Sequence, residues 1–247
     1  MNIAVWLSYD GTRYDGWQKQ GNTDKTIQGK LEGVLEKLEG APVEVHGSGR
    51  TDAGVHAEGQ VANFHLRKRM DAGEVAAYMN RYLPEDIAVQ RACVMPERFH
   101  SRLNAVRKTY RYQIEMGPKK DVFERHFYYG LGQKLDIGQM ERAAARLTGT
   151  HDYKSFCGNK KMKKSTVRTI ESIRFTRVDE SRLHVEITGN GFLWQMARIL
   201  SGTLMEVGLG RRKAEDMTAI LEARDRQAAG FTAPPEGLFL ECVEYGE

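Results

Sequence analysis

The stretch Gly47-Ser48-Gly49-Arg50-Thr51-Asp52-Ala53-Gly54-Val55-His56-Ala57 lies between two strand signals. Residues 43–46 lead in, and an alternation placing Ala62, Phe64 and Leu66 on one face leads out. The spacing predicts two strands joined by a glycine-rich turn. A turn between strands is a rigid mount for a reactive side chain, and its backbone N–H groups suit a polyanion. The one carboxylate in this turn is Asp52, two residues after Arg50. Read bare, the same stretch also suits a hairpin turn whose Asp bonds its own backbone.

Working outward, the hairpin falls in the middle of a six-element series. A strand over residues 2–9 alternates Ile3, Val5 and Leu7. A helix follows from about Thr26, a candidate N-cap, with Ile27, Leu31, Val34, Leu35 and Leu38 on one face. After the hairpin, a helix over residues 72–82 stops at Pro84, and a strand covers residues 87–94. The order is β-α-β-β-α-β.

The second half repeats it. Strands are expected at residues 106–115, 167–178, 183–188 and 238–243, with helices at 137–147 and 192–207 and a short helical piece at 214–223. The fold class is therefore α+β: two tandem ferredoxin-like βαββαβ halves with antiparallel sheets, residues 1–104 carrying the Asp52 turn and residues 105–247 completing a central basic cleft. Long inserts at residues 11–25, 117–132, 148–166 and 210–236 are of the length that usually carries function.

Composition narrows the class. The chain has 247 residues, 40% of them apolar, enough for a real core. It contains no apolar run of membrane-spanning length, and the N-terminus reads straight into a strand, so a cytoplasmic, membrane-independent protein is expected. Three scattered cysteines suit buried thiols in a reducing compartment. Net charge is only +4, but it is segregated. Residues 98–114 hold five Lys or Arg and no acid, and residues 153–170 hold six and no acid. Interleaved with Phe99, Tyr110, Tyr112 and Phe156, these tracts read as a nucleic-acid footprint or as solvated basic faces.

The turn, taken with the rest, resembles the TruA family of tRNA pseudouridine synthases. The resemblance spans nearly the whole chain. It runs through Ser8-Tyr9-Asp10-Gly11 with Gly16-Trp17-Gln18, Thr26-Ile27-Gln28, Leu83-Pro84-Glu85-Asp86-Ile87, Phe99-His100-Ser101-Arg102 and Arg107-Lys108-Thr109-Tyr110-Arg111-Tyr112. It continues through Gly149-Thr150-His151-Asp152-Tyr153, Thr188-Gly189-Asn190-Gly191-Phe192-Leu193, Gly202-Thr203-Leu204-Met205-Glu206-Val207-Gly208 and Glu236-Gly237-Leu238-Phe239-Leu240. It implies isomerisation of uridine to pseudouridine at positions 38 to 40 of the tRNA anticodon arm. It also implies Asp52 as the essential carboxylate, Tyr110 stacking on the target base, Arg198 pairing with the aspartate, and a homodimer without metal or organic cofactor.

The chemistry suits these residues. Isomerisation breaks ribose C1′–N1, turns the base and joins C1′ to C5, with no net redox change. An ionised Asp52 either attacks carbon or takes a proton from C2′, and a nearby arginine favours that charged form. From periodicity alone, Arg198 also fits a surface helix position and Tyr110 a half-buried strand position. Arg50 is a candidate to fill the gap left by an everted base or to hold phosphate. His56 is substrate-facing or a turn residue. Trp17 touches RNA or packs under its loop, and Trp194 is expected in the core. Lys160, Lys161, Lys163 and Lys164 are the candidates for gripping the tRNA backbone.

Rivals from other classes are weaker. His56-Ala57-Glu58 matches half of a zinc deaminase motif, but no cysteine pair stands near enough in sequence to complete it. A Rossmann or P-loop nucleotide binder lacks its third glycine and its Gly-Lys-Ser/Thr. The alternative function is a non-catalytic RNA-binding protein of tandem ferredoxin-like domains; residues 107–112 lack the glycines of its usual aromatic signature.

Overall fold

The computed structural model describes residues 1–118, 121–159 and 161–246. The chain is a mixed α+β protein that divides into two compact units, Met1–Val106 with Phe239–Glu247, and Arg107–Leu238.

In the first unit the order is β1 (Asn2–Tyr9), α1 (Ile27–Glu39), β2 (His46–Gly47), β3 (His56–His65), α2 (Ala72–Tyr82) and β4 (Ile87–Met95). β1 lies between β3 and β4, antiparallel to both. β2 adds antiparallel to β3, with His46 opposite Asn63. The helix signals act as the spacing predicts. The Thr26 side chain accepts the Gly29 N–H and so caps α1, whose Ile27, Leu31, Val34, Leu35 and Leu38 are buried. Asp71 caps α2 in a reciprocal box with Glu74, a signal the periodicity does not carry.

Two departures have local causes. The strand expected at residues 43–46 reduces to the His46–Gly47 pair, because side chains of α1 satisfy the backbone of Val45: its N–H donates to Glu32 Oε1 (3.3 Å) and its carbonyl accepts from Gln28 Nε2 (3.2 Å). The last strand, β10 (Leu238–Tyr245), was expected in the second half. It runs parallel to the start of β3, with Phe239 opposite His56 and Leu240 opposite Ala57. β3 is thus paired on both edges, by β1 on one side and by β10 and β2 at the two ends of the other.

The second unit is built on β5 (Ala105–Glu115), β6 (Tyr129–Gly130), α3 (Ile137–Leu147), β7 (Gly149–Asp152), β8 (Val167–Arg177), β9 (Arg182–Gly189), α4 (Met196–Gly208) and α5 (Asp216–Ala223). β9 pairs antiparallel with β5 and β8, and β7 adds to β8. α3 buries Met140, Ala143, Ala144 and Leu147, while α4 is buried around most of its surface. α4 begins at Met196, four residues later than the apolar pattern predicts. Gln195 adopts φ +60°, a left-handed conformation that interrupts the helix there.

Among the described residues of the insert over 117–132, several are gathered around Arg182. Arg182 on β9 reaches Glu115 (3.3 Å), Asp121 (3.0 Å) and Glu124 (3.1 Å), and its guanidinium lies 4.9 Å from the centre of the Tyr128 ring. Asp121 is held below the usual carboxylate range, first by the Phe123 backbone N–H it accepts and further by Arg182.

None of the described helices is long and apolar enough to cross a membrane. Among the described residues no three His, Cys, Asp or Glu side chains are grouped to hold a metal ion.

Candidate active site

Asp52 sits on the turn entering β3, half-buried, between the buried Thr51 and the exposed Ala53. Its carbonyl accepts the Val55 N–H at 3.1 Å, closing the turn. The turn is braced from two directions. From below, Tyr9 Oη on β1 bonds Thr51 Oγ1 (2.9 Å), and Gln60 on β3 donates to the Gly49 carbonyl (2.9 Å) while accepting from Ser48 Oγ (2.6 Å). Burial is the main reason the Tyr9 hydroxyl is pushed up to about 12, so it stays neutral across the physiological range.

From the side, the segment leaving β1 lies against the turn. The Trp17 N–H donates to the Thr51 carbonyl (3.0 Å) and the Gly54 N–H to the Tyr14 carbonyl (3.2 Å). Gly16 has φ +99°, and a Cβ there would lie 2.8 Å from the Thr51 carbonyl oxygen and 3.2 Å from the Asp52 carbonyl carbon. Only glycine meets both the conformation and the approach. Trp17, 2% exposed, packs its indole against Gly47. The Tyr14 hydroxyl donates to Asp86 at 2.5 Å, fastening the segment to the start of β4. Asp52 is therefore mounted on a turn held by a framework of buried and part-buried hydrogen bonds.

Arg50 is exposed on the same turn. His56 is 1% exposed, its ring stacked on Phe239 with centroids 4.7 Å apart, and its Nδ1 accepts the Gly11 N–H at 3.0 Å. The same Nδ1 lies 3.2 Å from Asp10 Oδ1. Covered in this way, His56 supports the turn from beneath.

In the second unit, Tyr110 stands on β5 opposite Ile187 of β9, 8% exposed, with its ring edge-on to Phe192 at 4.8 Å. Arg198 is the third residue of α4 and half-buried. Its Nε donates to the Ala233 carbonyl (2.7 Å), and the Ala233 N–H donates back to the Arg198 carbonyl (3.1 Å). It is thus fastened to the segment before β10 and does not simply face water. Lys161, Lys163 and Lys164 are exposed; Lys160 lies outside the described residues. Trp194, expected in the core, is 56% exposed, because α4 starts after it.

The bracing bonds Tyr9–Thr51 and Ser48–Gln60–Gly49 escaped sequence reading. Their one signal is Gln60, a long polar side chain 0% exposed inside a strand of buried residues.

Residues 6–104 and 143–246 match the sequence profile of the tRNA pseudouridine synthases. A protein of Bacillus sp. (strain KSM-64) named tRNA pseudouridine synthase A is 45% identical over 244 residues, covering 99% of each chain. The protein of the same name from Halalkalibacterium halodurans is 44% identical over 237 residues, 96% of this chain and 89% of its own. The one from Acetivibrio thermocellus is 42% identical over 244 residues, 99% of each. The chain belongs to the tRNA pseudouridine synthase family. It is accordingly an isomerase that acts on uridine in tRNA.

Proposed function

We propose that this enzyme converts uridines 38, 39 and 40 of the tRNA anticodon arm to pseudouridine, with Asp52 as the reacting carboxylate. The observation that carries the proposal is the mounting of Asp52: a half-exposed acid on a turn whose neighbours on both sides are held by hydrogen bonds. The ribose C1′–N1 bond breaks, the uracil turns, and C1′ joins C5. The C5 proton is lost and N1 gains one, so the base keeps its composition. An ionised Asp52 serves either as nucleophile or as base at C2′.

Arg198 is assigned the role of favouring that charge and orienting it, for which its anchorage to Ala233 prepares it. Tyr110 is assigned the stacking surface for the everted uracil, its ring already oriented by Phe192. Stacking of a base on an aromatic ring is worth about 1–3 kcal/mol, comparable to the few kcal/mol of extrusion. Arg50, exposed beside Asp52, is assigned to the vacated space or to phosphate, and the lysines of residues 160–164 to the RNA backbone. His56 is assigned to positioning the turn. The antiparallel order β4-β1-β3-β2 of the first unit supports a ferredoxin-like half, and we take the second unit as its tandem counterpart. A homodimer working without cofactor follows from the family resemblance.

The test uses anticodon stem-loop RNA tritiated at C5 of uridine 38, 39 or 40. Wild type is expected to release the label from each and Asp52→Ala from none, while Asp52→Ala still binds the RNA. Release by Asp52→Ala overturns the assignment of Asp52. Release only from uridines elsewhere in tRNA overturns the assignment of position.

A further inference from the structure

Trp194 is one of several large apolar side chains exposed on the second unit. A tryptophan normally buries most of its large surface, yet this one is 56% exposed while its neighbours Leu193 and Met196 are 5% and 0% exposed. The cause is local. Gln195 takes φ +60°, the left-handed region that L side chains rarely adopt, and the helical hydrogen bonds begin only at Ile199 N–H to Gln195 O (3.0 Å). The chain turns there, sending Leu193 and Met196 inward and the indole outward.

The indole is also held in place. The Gly158 N–H donates to the Trp194 carbonyl at 2.9 Å. A Cβ on Gly158 would collide with Gln195 Oε1 and lie 3.0 Å from Trp194 Cε3, so residue 158 fits closely under the edge of the ring. The segment that starts at this glycine carries the exposed Lys161, Lys163 and Lys164, inside a tract of six cations and no acid. An outward aromatic ring and a cationic segment thus leave from one shared anchor.

We propose that Trp194 is a stacking platform for an unpaired base of the tRNA substrate, beside the RNA backbone drawn in by the lysine segment. The pairing of a π face with adjacent cations is the chemistry by which single-stranded nucleic acid is held without reading its sequence. The cations choose RNA over an apolar protein surface as the occupant, since they complement phosphate. The proposal rests on tRNA being the substrate and does not depend on the role given to Asp52.

The test compares wild type, Trp194→Ala and Trp194→Phe for binding of unmodified tRNA transcript across a salt series, and follows tryptophan emission during titration. Trp194→Ala is expected to bind about 10-fold more weakly, within a range of about 5- to 150-fold, and Trp194→Phe to stay within about threefold of wild type. The salt slope of Trp194→Ala should match wild type, because stacking releases no counterions. In wild type, tRNA should quench an emission component that Trp194→Phe lacks, since Trp17 is buried and Trp6 and Trp17 remain in both proteins. Wild-type affinity in Trp194→Ala overturns the proposal, as does quenching no greater in wild type than in Trp194→Phe. If Trp194→Ala does not fold, the emission difference alone decides. Binding and emission are read without turnover, so their failure leaves the label-release result on Asp52 standing, and the reverse holds too.

Discussion

Replacing Gly16 by alanine should slow catalysis without loosening the grip on tRNA. At φ +99° an L side chain costs about 1–3 kcal/mol. The new methyl carbon would also lie 2.8 Å from the Thr51 carbonyl oxygen and 3.2 Å from both the Ala53 nitrogen and the Asp52 carbonyl carbon. These are backbone atoms, so relief requires moving the turn by several tenths of an ångström, with Asp52 on it. Strain and displacement together should lower stability by about 2–3 kcal/mol, a Tm drop of about 5–10 °C for a chain of this size. A misplacement of 1 Å costs about 100-fold in rate, so a fraction of that predicts about a tenfold fall in single-turnover label release. Affinity for tRNA should stay within about threefold, because stacking and phosphate contacts on other elements are unaltered. Gly33→Ala is the control. Nothing lies within 4 Å of a Cβ there, and alanine inside a helix should add up to about 1 kcal/mol. A Gly16→Ala enzyme that melts early yet turns over at the wild-type rate refutes the claim that this segment positions Asp52. One that melts normally refutes the steric account itself.

The Tyr9 hydroxyl ionises near pH 12 when folded and near pH 10 when unfolded, so its contribution is intact below pH 10 and is lost as pH rises from 10 to 12. Urea melts should show wild-type stability falling over that window and Tyr9→Phe falling less; at pH 8, Tyr9→Phe should be about 1 kcal/mol less stable through the lost bond to Thr51. Exchanging Lys161, Lys163 and Lys164 for glutamine should weaken tRNA binding and reduce the log–log salt slope by about 0.9 for each phosphate contact removed, as filter binding across a salt series will show. Arg182→Met leaves Glu115, its side chain 7% exposed, without its counter-ion and should cost about 3 kcal/mol, with faster hydrogen exchange over residues 121–131. Adding Glu115→Gln should recover part of that loss in the same melts.

Much of the fold is legible where a residue acts on its own neighbours. Thr26 caps the helix that follows it, Pro84 ends the one before it, and the spacing of Ile27, Leu31, Val34, Leu35 and Leu38 marks the buried stripe of α1. What escapes reading depends on distant partners. Residues 43–45 have the alternation of a strand, but Gln28 and Glu32, a helix away, take the hydrogen bonds of Val45. The strand β10 has an ordinary apolar pattern, which cannot say that β3 receives it. β6 and β7 are two and four residues long, too short for any period.

The candidate site follows the same division. Asp52 stands out because Gly, Arg and Asp crowd one turn. The bonds that hold it join residues 9, 48, 51 and 60, each an unremarkable polar position by itself. Trp194 misled because the apolar spacing of α4 extends back through Phe192 and Leu193. Only the left-handed backbone at Gln195 shows that the helix begins beyond it.

The claim on which the rest depends is that the charge of Asp52, and not merely its place in the turn, drives the isomerisation. Asp52→Asn keeps the shape and removes the charge. Single-turnover tritium release from C5 of anticodon-arm uridine should fall by a factor of about 1,000 or more, while Tm and tRNA affinity stay near wild type. Label release by Asp52→Asn within about tenfold of the wild-type rate would contradict the account.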